Sequence, residues 1–378
     1  MREGPLWPPA ETIVIQVDRR LLLNLDWPLL AFSLAVVSIG WVTLVTVSAH
    51  GSRGGLPLRQ LLWIALGLVV LVILASIDYR VWVTYAPLLY GIGIFLLGMV
   101  LVWGRSAQGA RRWLAVGGVG FQPTELFKVI FILILAAVLG GRRWATWSWG
   151  SLMVPLGLLL LPVVLILKQP DLGTAIILLP VAAGMLFAAG TRGRNLGLLA
   201  LGGVVASPLL WIFLKDYQRE RLLVYLDPAR DPLGTAWNVA QSKIAIGSGM
   251  VWGKGLFGGT QSRLAFLPER HTDFVFSVFA EEWGFVGCLL LLAGYFVIVM
   301  RGFEIAEKAR DDLGHLLAVG ATTLLAAQVC VNIGMATGFL PVVGLPLPFM
   351  SYGGSAMLSS LMTIGLLLNV RMRRFMFP

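Results

Sequence analysis

The sequence has 378 residues, of which 58% are hydrophobic and only 13% charged, with a mean hydropathy of +0.84. Soluble domains carry about 25% charged residues, so this chain lacks the polar surface of a globular or disordered protein and reads as an all-α polytopic membrane protein. Its net charge of +10 fits orienting loops and contact with anionic lipid, and with no basic run of five or more residues it does not point to nucleic acid.

Spanning about 30 Å of hydrocarbon takes roughly 17–25 apolar residues. Ten runs qualify: Trp27–Ser48, Leu61–Ile77, Val81–Trp103, Glu125–Gly140, Ser151–Leu167, Leu172–Ala189, Leu196–Leu214, Phe274–Met300, Leu313–Thr337 and Phe349–Val370. The first run is too long for a signal-peptide core, so residues 1–26 read as an N-terminal tail and 27–378 as one membrane domain. With the N-terminus cytoplasmic, fourteen Lys and Arg fall on inner segments and six in short outer loops. That bias places both termini in the cytoplasm. Cys288 and Cys330 lie inside apolar runs and read as small core residues, not as a disulfide or metal pair. Three scattered histidines speak against a histidine-rich metal site.

One connection is not short. Residues 215–273 form a 59-residue extracytoplasmic loop between the seventh and eighth runs, well past the ~12–15 residues above which a loop tends to be functional or unstructured. Within it, Thr235–Ile246 reads as an amphipathic helix along the outer interface. Gly247, Gly249, Gly253, Gly255, Gly258 and Gly259 then read as a flexible, backbone-exposed stretch.

Polar groups at membrane depth are costly and mark function. They gather on the outer side. In Gln122-Pro123-Thr124-Glu125-Leu126-Phe127-Lys128, proline and a carboxylate suit a helix start, and Glu125 and Lys128 stand i,i+3 on one face. Two readings stay open there: a capped helix with one ion pair, or Lys128 held to meet a phosphate. Asp171, after Gln169-Pro170, needs no more than a helix N-cap to explain it. Glu269, Arg270, His271, Thr272 and Asp273 crowd the start of the eighth run, and Glu281 follows about 12 Å further along a helix. Near the C-terminus, Gly338 to Gly354 carries three prolines and is largely apolar. Such non-helical backbone at depth must be buried in protein or line a cavity, so it reads as a re-entrant wall.

These stretches resemble the SEDS family (shape, elongation, division and sporulation). The matching residues are Gly109-Ala110-Arg111-Arg112-Trp113, Gln122 to Lys128, Gln169-Pro170-Asp171-Leu172-Gly173-Thr174, Leu267 to Phe274, and Leu340 to Gly354. The Glu269-Arg270-His271-Thr272-Asp273 form is that of the elongation branch; the division branch usually has Ala at the Arg270 position. The resemblance implies a peptidoglycan glycosyltransferase of the bacterial cytoplasmic membrane. It implies polymerisation of lipid II at the outer face, with undecaprenyl pyrophosphate leaving. The implied partners are a class B penicillin-binding protein and other elongation-complex membrane proteins. Asp273 is then general base or metal ligand, and Arg112, Glu125, Lys128, Lys243, Arg270, His271 and Ser351 bind substrate. No cofactor is obligatory, although a divalent cation (Mg or Mn) suits a pyrophosphate. The rival classes are a lipid II flippase and a non-catalytic scaffold activating the penicillin-binding protein.

Overall fold

The computed structural model describes residues 24–49, 55–107, 110–116, 119–140, 149–213, 216–231, 234–260 and 269–374. Most of the N-terminal tail therefore lies outside the described residues. In chain order the helices are α1 (Trp27–Ala49), α2 (Leu56–Ser76), α3 (Tyr79–Thr84), α4 (Ala86–Trp103), α5 (Pro123–Gly140), α6 (Trp149–Lys168), α7 (Leu172–Ala188), α8 (Gly193–Phe213), α9 (Asp216–Leu226), α10 (Thr235–Ser248), α11 (Val275–Glu307), α12 (Asp312–Thr337) and α13 (Gly354–Met372). Seven of them, α1, α2, α4, α5, α11, α12 and α13, are long and apolar enough to cross a membrane, and three shorter apolar helices lie within α6, α7 and α8.

A helix that is apolar all round belongs in a core or in lipid. Both cases occur. In α5, α12 and α13 most of the apolar window is buried against other helices, whereas α2 and α4 bury only a minor part of theirs. One end of the helical bundle is tied by charge: Asp26 caps α1 through the amide of Leu29 at 3.1 Å and receives Arg301 of α11 at 2.6 Å.

Four expectations need correction. The third run is split at Tyr85, because Pro87 sits in the first turn of α4, where proline starts a helix and disfavours helical geometry just before it. The chain is not purely helical: β1 (Arg105–Ala107), β2 (Ala110–Val116) and β3 (Val119–Phe121) form an antiparallel sheet in that order. Cys288 is buried as expected, but Cys330 is exposed on α12.

The glycine-rich stretch after α10 is docked, not loose. It lies against a break in α11 at Gly284 (φ 66°, ψ −165°). The amides of Lys254 and Gly255 donate to the carbonyls of Glu281 and Glu282, both at 3.0 Å, and those of Phe285 and Val286 donate to Met250 and Val251 at 2.9 and 3.1 Å. Helix hydrogen bonds lost at the break are thus replaced across the loop. Glycine is required because a Cβ at Gly284 would stand 2.2 Å from the Gly253 nitrogen.

Candidate functional site

Asp273 closes the turn that leads into α11. Its main-chain carbonyl accepts the Asn332 side-chain amide at 3.0 Å, and that amide also reaches the carbonyl of Leu345 at 2.7 Å. The neighbouring Thr272 carbonyl accepts the Ser351 hydroxyl at 2.6 Å, and Ser351 in turn accepts the amide of Leu347 at 2.8 Å. The re-entrant wall is therefore fastened directly to the backbone on which Asp273 stands. Its residues Val343, Leu345, Leu347, Phe349 and Met350 are buried, and Tyr295 of α11 donates to the Pro348 carbonyl at 2.6 Å. Buried irregular backbone of this kind matches the expected wall.

The side chain of Asp273 faces two arginines. A Cβ placed on Gly344 would lie 3.5 Å from Asp273 Oδ2, 3.7 Å from Arg221 Nη1 and 3.8 Å from Arg112 Nη1. Three charged groups from three separate elements thus converge on one point at the wall. Burial pushes the Asp273 carboxyl up to about 6; Glu269 adds to the rise, and Arg221, Arg112 and the Thr272 hydroxyl hold it down. A carboxylate with that value is a competent base near neutral pH. Glu269 is itself held locally, accepting the Thr272 hydroxyl at 3.1 Å.

Arg112, on β2, donates to the Pro170 carbonyl and lies 3.7 Å from Asp171. Asp171 is the N-cap of α7, as its sequence context suggested, accepting the Thr174 amide at 3.2 Å and the Thr174 hydroxyl at 2.9 Å. It does more than cap. It also accepts Gln122 Nε2 at 3.3 Å, which ties β2, α5 and α7 together at the cleft.

Glu125 and Lys128 form a fully buried ion pair at 2.8 Å within α5. Glu125 Oε2 has no hydrogen-bond partner, so the pair retains an acceptor that can take one more donor. Lys243 is exposed on α10, beside Arg221 across a cavity. The Arg270 guanidinium is half-buried, and loss of water lowers it from its usual value. The His271 ring lies 6.0 Å from that of Tyr352, and its carbonyl accepts the Tyr352 amide at 2.8 Å. Ser351 braces backbone with both sides of its hydroxyl and is buried.

Arg221 was missed by sequence reasoning. It lies in the charged stretch Asp216–Leu226, where no spacing tells which of Arg219 and Arg221 turns inward. Asn332, a polar residue in the apolar run Leu313–Thr337, gains a positioning role from its two carbonyl contacts. Glu281, costly in prospect, is met by Lys254 at 2.7 Å and by the amide and hydroxyl of Thr260 at 2.8 and 2.9 Å. Among the described residues no group of three or more His, Cys, Asp or Glu forms a metal cage.

Known proteins share the sequence and the fold of this chain. The model of the FtsW/RodA/SpoVE family, described as cell cycle protein, matches residues 21–375. Peptidoglycan glycosyltransferase MrdB of Escherichia coli K12 is 43% identical over 355 residues, covering 94% of this chain and 95% of the relative. A solved chain described under structural coordination of polymerization and crosslinking by a peptidoglycan synthase complex superposes with a TM-score of 0.78 at 38% identity, covering 93% of this chain and 98% of that one. The crystal structure of Thermus thermophilus rod shape determining protein RodA gives 0.71 at 35% identity, covering 94% and 99%.

Proposed function

The chain belongs to the FtsW/RodA/SpoVE family, and from that premise we propose that the cleft at Asp273 polymerises lipid II into glycan strands during cell elongation. The protein is a peptidoglycan glycosyltransferase. Ten spans with both termini cytoplasmic put residues 215–273, and with them the cleft, at the outer face of the bacterial inner membrane. The observation that carries the site assignment is the convergence of Asp273, Arg112 and Arg221 at Gly344.

The chemistry suits that set. Undecaprenyl pyrophosphate leaves as a stable anion, so it needs cations more than a general acid. The acceptor sugar's 4-hydroxyl needs an aligned base. Asp273 takes that proton, and Arg112 faces the leaving diphosphate. The buried Lys128–Glu125 pair supports the floor of the cleft. A divalent cation, Mg or Mn, fits the donor set: Glu269 and Asp273 offer one or two carboxylates, which suffices when substrate phosphates complete the shell. When bound it would supply further positive charge to the diphosphate.

Glycan made here must be crosslinked elsewhere, which calls for a class B penicillin-binding protein against α11, α12 and the long loop, within a larger elongation complex. A flippase would place charged partners at the midplane in both halves of a repeat. A scaffold would leave a half-buried carboxylate between two arginines without a task. The test is gel-resolved glycan from lipid II with purified protein, alone and with its partner. Asp273→Asn should lose polymer by a factor of about 10²–10⁴ while still folding and binding the partner. Near-normal polymer from a stable variant would overturn the assignment.

A further inference from the structure

Phe349 is a buried side chain on strained backbone. It holds φ 66° within the re-entrant wall, in the left-handed region that a residue with a Cβ rarely adopts. Such strain persists only where the surroundings over-determine it, and three helices supply those surroundings. Gly40 of α1 lets the wall pass close, since a Cβ there would stand 2.5 Å from Met350 Cα and 2.8 Å from the Phe349 carbonyl oxygen. Tyr295 of α11 holds the Pro348 carbonyl just before the strained residue. The third hold comes from α2.

Gln60, near the start of α2, is only 2% exposed. A side-chain amide buried in a membrane helix must find partners, and Gln60 finds both on the wall. Its Nε2 donates to the Ser351 carbonyl at 3.3 Å, and its Oε1 accepts the Gly353 amide at 3.3 Å. One turn further on, Trp63 lies against Gly354, where a Cβ would stand 2.2 Å from the Trp63 ring. Gln60 and Trp63 are i,i+3 and share one face of α2, so that face grips the junction between the wall and α13.

The two groups taken by Gln60 flank Tyr352, whose own amide donates to the His271 carbonyl at 2.8 Å. Beside it, the Ser351 hydroxyl donates to the Thr272 carbonyl at 2.6 Å. Gln60 thus holds the very residues of the wall that hold the Asp273 turn. We propose that Gln60 is a positioning residue for glycan polymerisation: by pinning Ser351 and Gly353 it fixes Tyr352 against His271, and with it the place of the Asp273 carboxylate. The proposal rests on the glycosyltransferase reading above. Gln60 moves no proton and binds no substrate; its work is geometric. Misplacing a reacting group by about 1 Å can cost about a hundredfold in rate.

The experiment measures lipid II polymerisation by the purified full chain well below its melting temperature. Gln60→Met keeps the length of the side chain and loses both bonds. Its maximal rate should fall about ten- to a hundredfold, with little change in the lipid II concentration required. Amide exchange should quicken at 351–353 and also at 270–274. Tyr79→Phe serves as the control for stability alone: it loses the hydroxyl's bonds to Asp311 at 2.9 Å, just past the other end of α2, and should melt lower while keeping its rate. Should Gln60→Met not fold, Gln60→Asn, one methylene too short to keep both bonds, carries the same expectations. A near-normal maximal rate in the folded variant would overturn the proposal. So would a loss seen only as a higher lipid II requirement, which would make Gln60 a substrate contact, or an equal loss in Tyr79→Phe, which would make the effect one of stability. Exchange that quickens at 351–353 while 270–274 stays protected would break the link through Tyr352 and overturn it too. If wild type makes no polymer, the glycosyltransferase reading falls and this inference with it. If wild type makes polymer and Gln60→Met matches it, only this inference falls.

Discussion

Asn332 holds Asp273 by the backbone: one side-chain amide nitrogen spans the carbonyls of Asp273 and Leu345, at 3.0 and 2.7 Å. The turn that carries Asp273 and the buried wall at Leu345 therefore share this strut. Asn332→Ala removes that strut and leaves two buried carbonyls without their donor, each costing about 1–3 kcal/mol. Thermal melting should record the loss. Polymerisation should fall in maximal rate with little change in the lipid II concentration required, and the pH profile should keep its shape, because the titrating group remains. A displaced profile would show that Asn332 acts on the charge of Asp273 rather than on its position.

The acid limb of polymerisation should report Asp273. Its carboxyl stands at about 6, so activity should fall about tenfold per pH unit below that value and level off above it. Glu269 contributes to the rise, and Glu269→Gln should move the limb to lower pH. The stability consequence has the opposite sense. Asp273 binds its proton more tightly folded than unfolded. The stability it contributes is present below its ordinary 3.8 and is lost as pH rises through about 6. Asp273→Asn should therefore melt no lower than wild type at pH 7 while making no polymer. A limb that persists in Glu269→Gln at its original pH would remove Glu269 from the site.

Lys128 permits a sharper choice. Both of its possible roles begin from the buried 2.8 Å pair with Glu125. Lys128→Met alone strands a buried carboxylate, which commonly costs 3–5 kcal/mol. Adding Glu125→Gln relieves that cost. Folding should recover in the double variant while polymerisation does not, since the cationic floor is gone. Recovery of polymer together with stability would reduce the pair to a structural one.

How much of this was legible depended on the physical signal available. Long apolar runs announce themselves by length, and proline and glycine punctuation marked the wall from Gly338 to Gly354. Asp171 followed from helix-cap chemistry, although its reach to Arg112 and Gln122 did not. Arg221 was hidden because its partners, Asp273 and the wall, lie 52 or more residues away in sequence, beyond any local pattern. The glycine stretch after α10 misled for a related reason. Six glycines read equally well as freedom or as close approach, and only the facing break at Gly284 decides between them.

Orientation can be tested at Arg230, exposed beyond α9. With Cys288 and Cys330 replaced, Arg230→Cys should react with an impermeant thiol reagent in intact spheroplasts. Reaction only after lysis would place the long loop, the cleft and the cavity on the cytoplasmic side, where no glycan is assembled.

The break in α11 yields the last prediction. Gly284 at φ 66° sits where an added Cβ would stand 2.2 Å from Gly253 nitrogen and 2.7 Å from the Val251 carbonyl oxygen. Gly284→Ala must therefore strain the backbone, about 1–3 kcal/mol at such a φ, and also push the docked loop away. With the loop go the backbone bonds from Lys254 and Gly255 and the Lys254 and Thr260 contacts to Glu281. Glu281 would then be a buried carboxylate without its cation, at the depth where that is least tolerated. It lies about two helical turns past the Asp273 turn that leads into α11, so the disturbance should reach the cleft as well as the fold. Expected outcomes are a lower melting temperature, amide exchange appearing in 249–259, and reduced polymer. Glu281→Gln placed on top should recover stability, because a neutral amide no longer needs Lys254. If Gly284→Ala leaves both exchange and melting unchanged, the loop is not held by this contact, and the packing described for α11 is wrong.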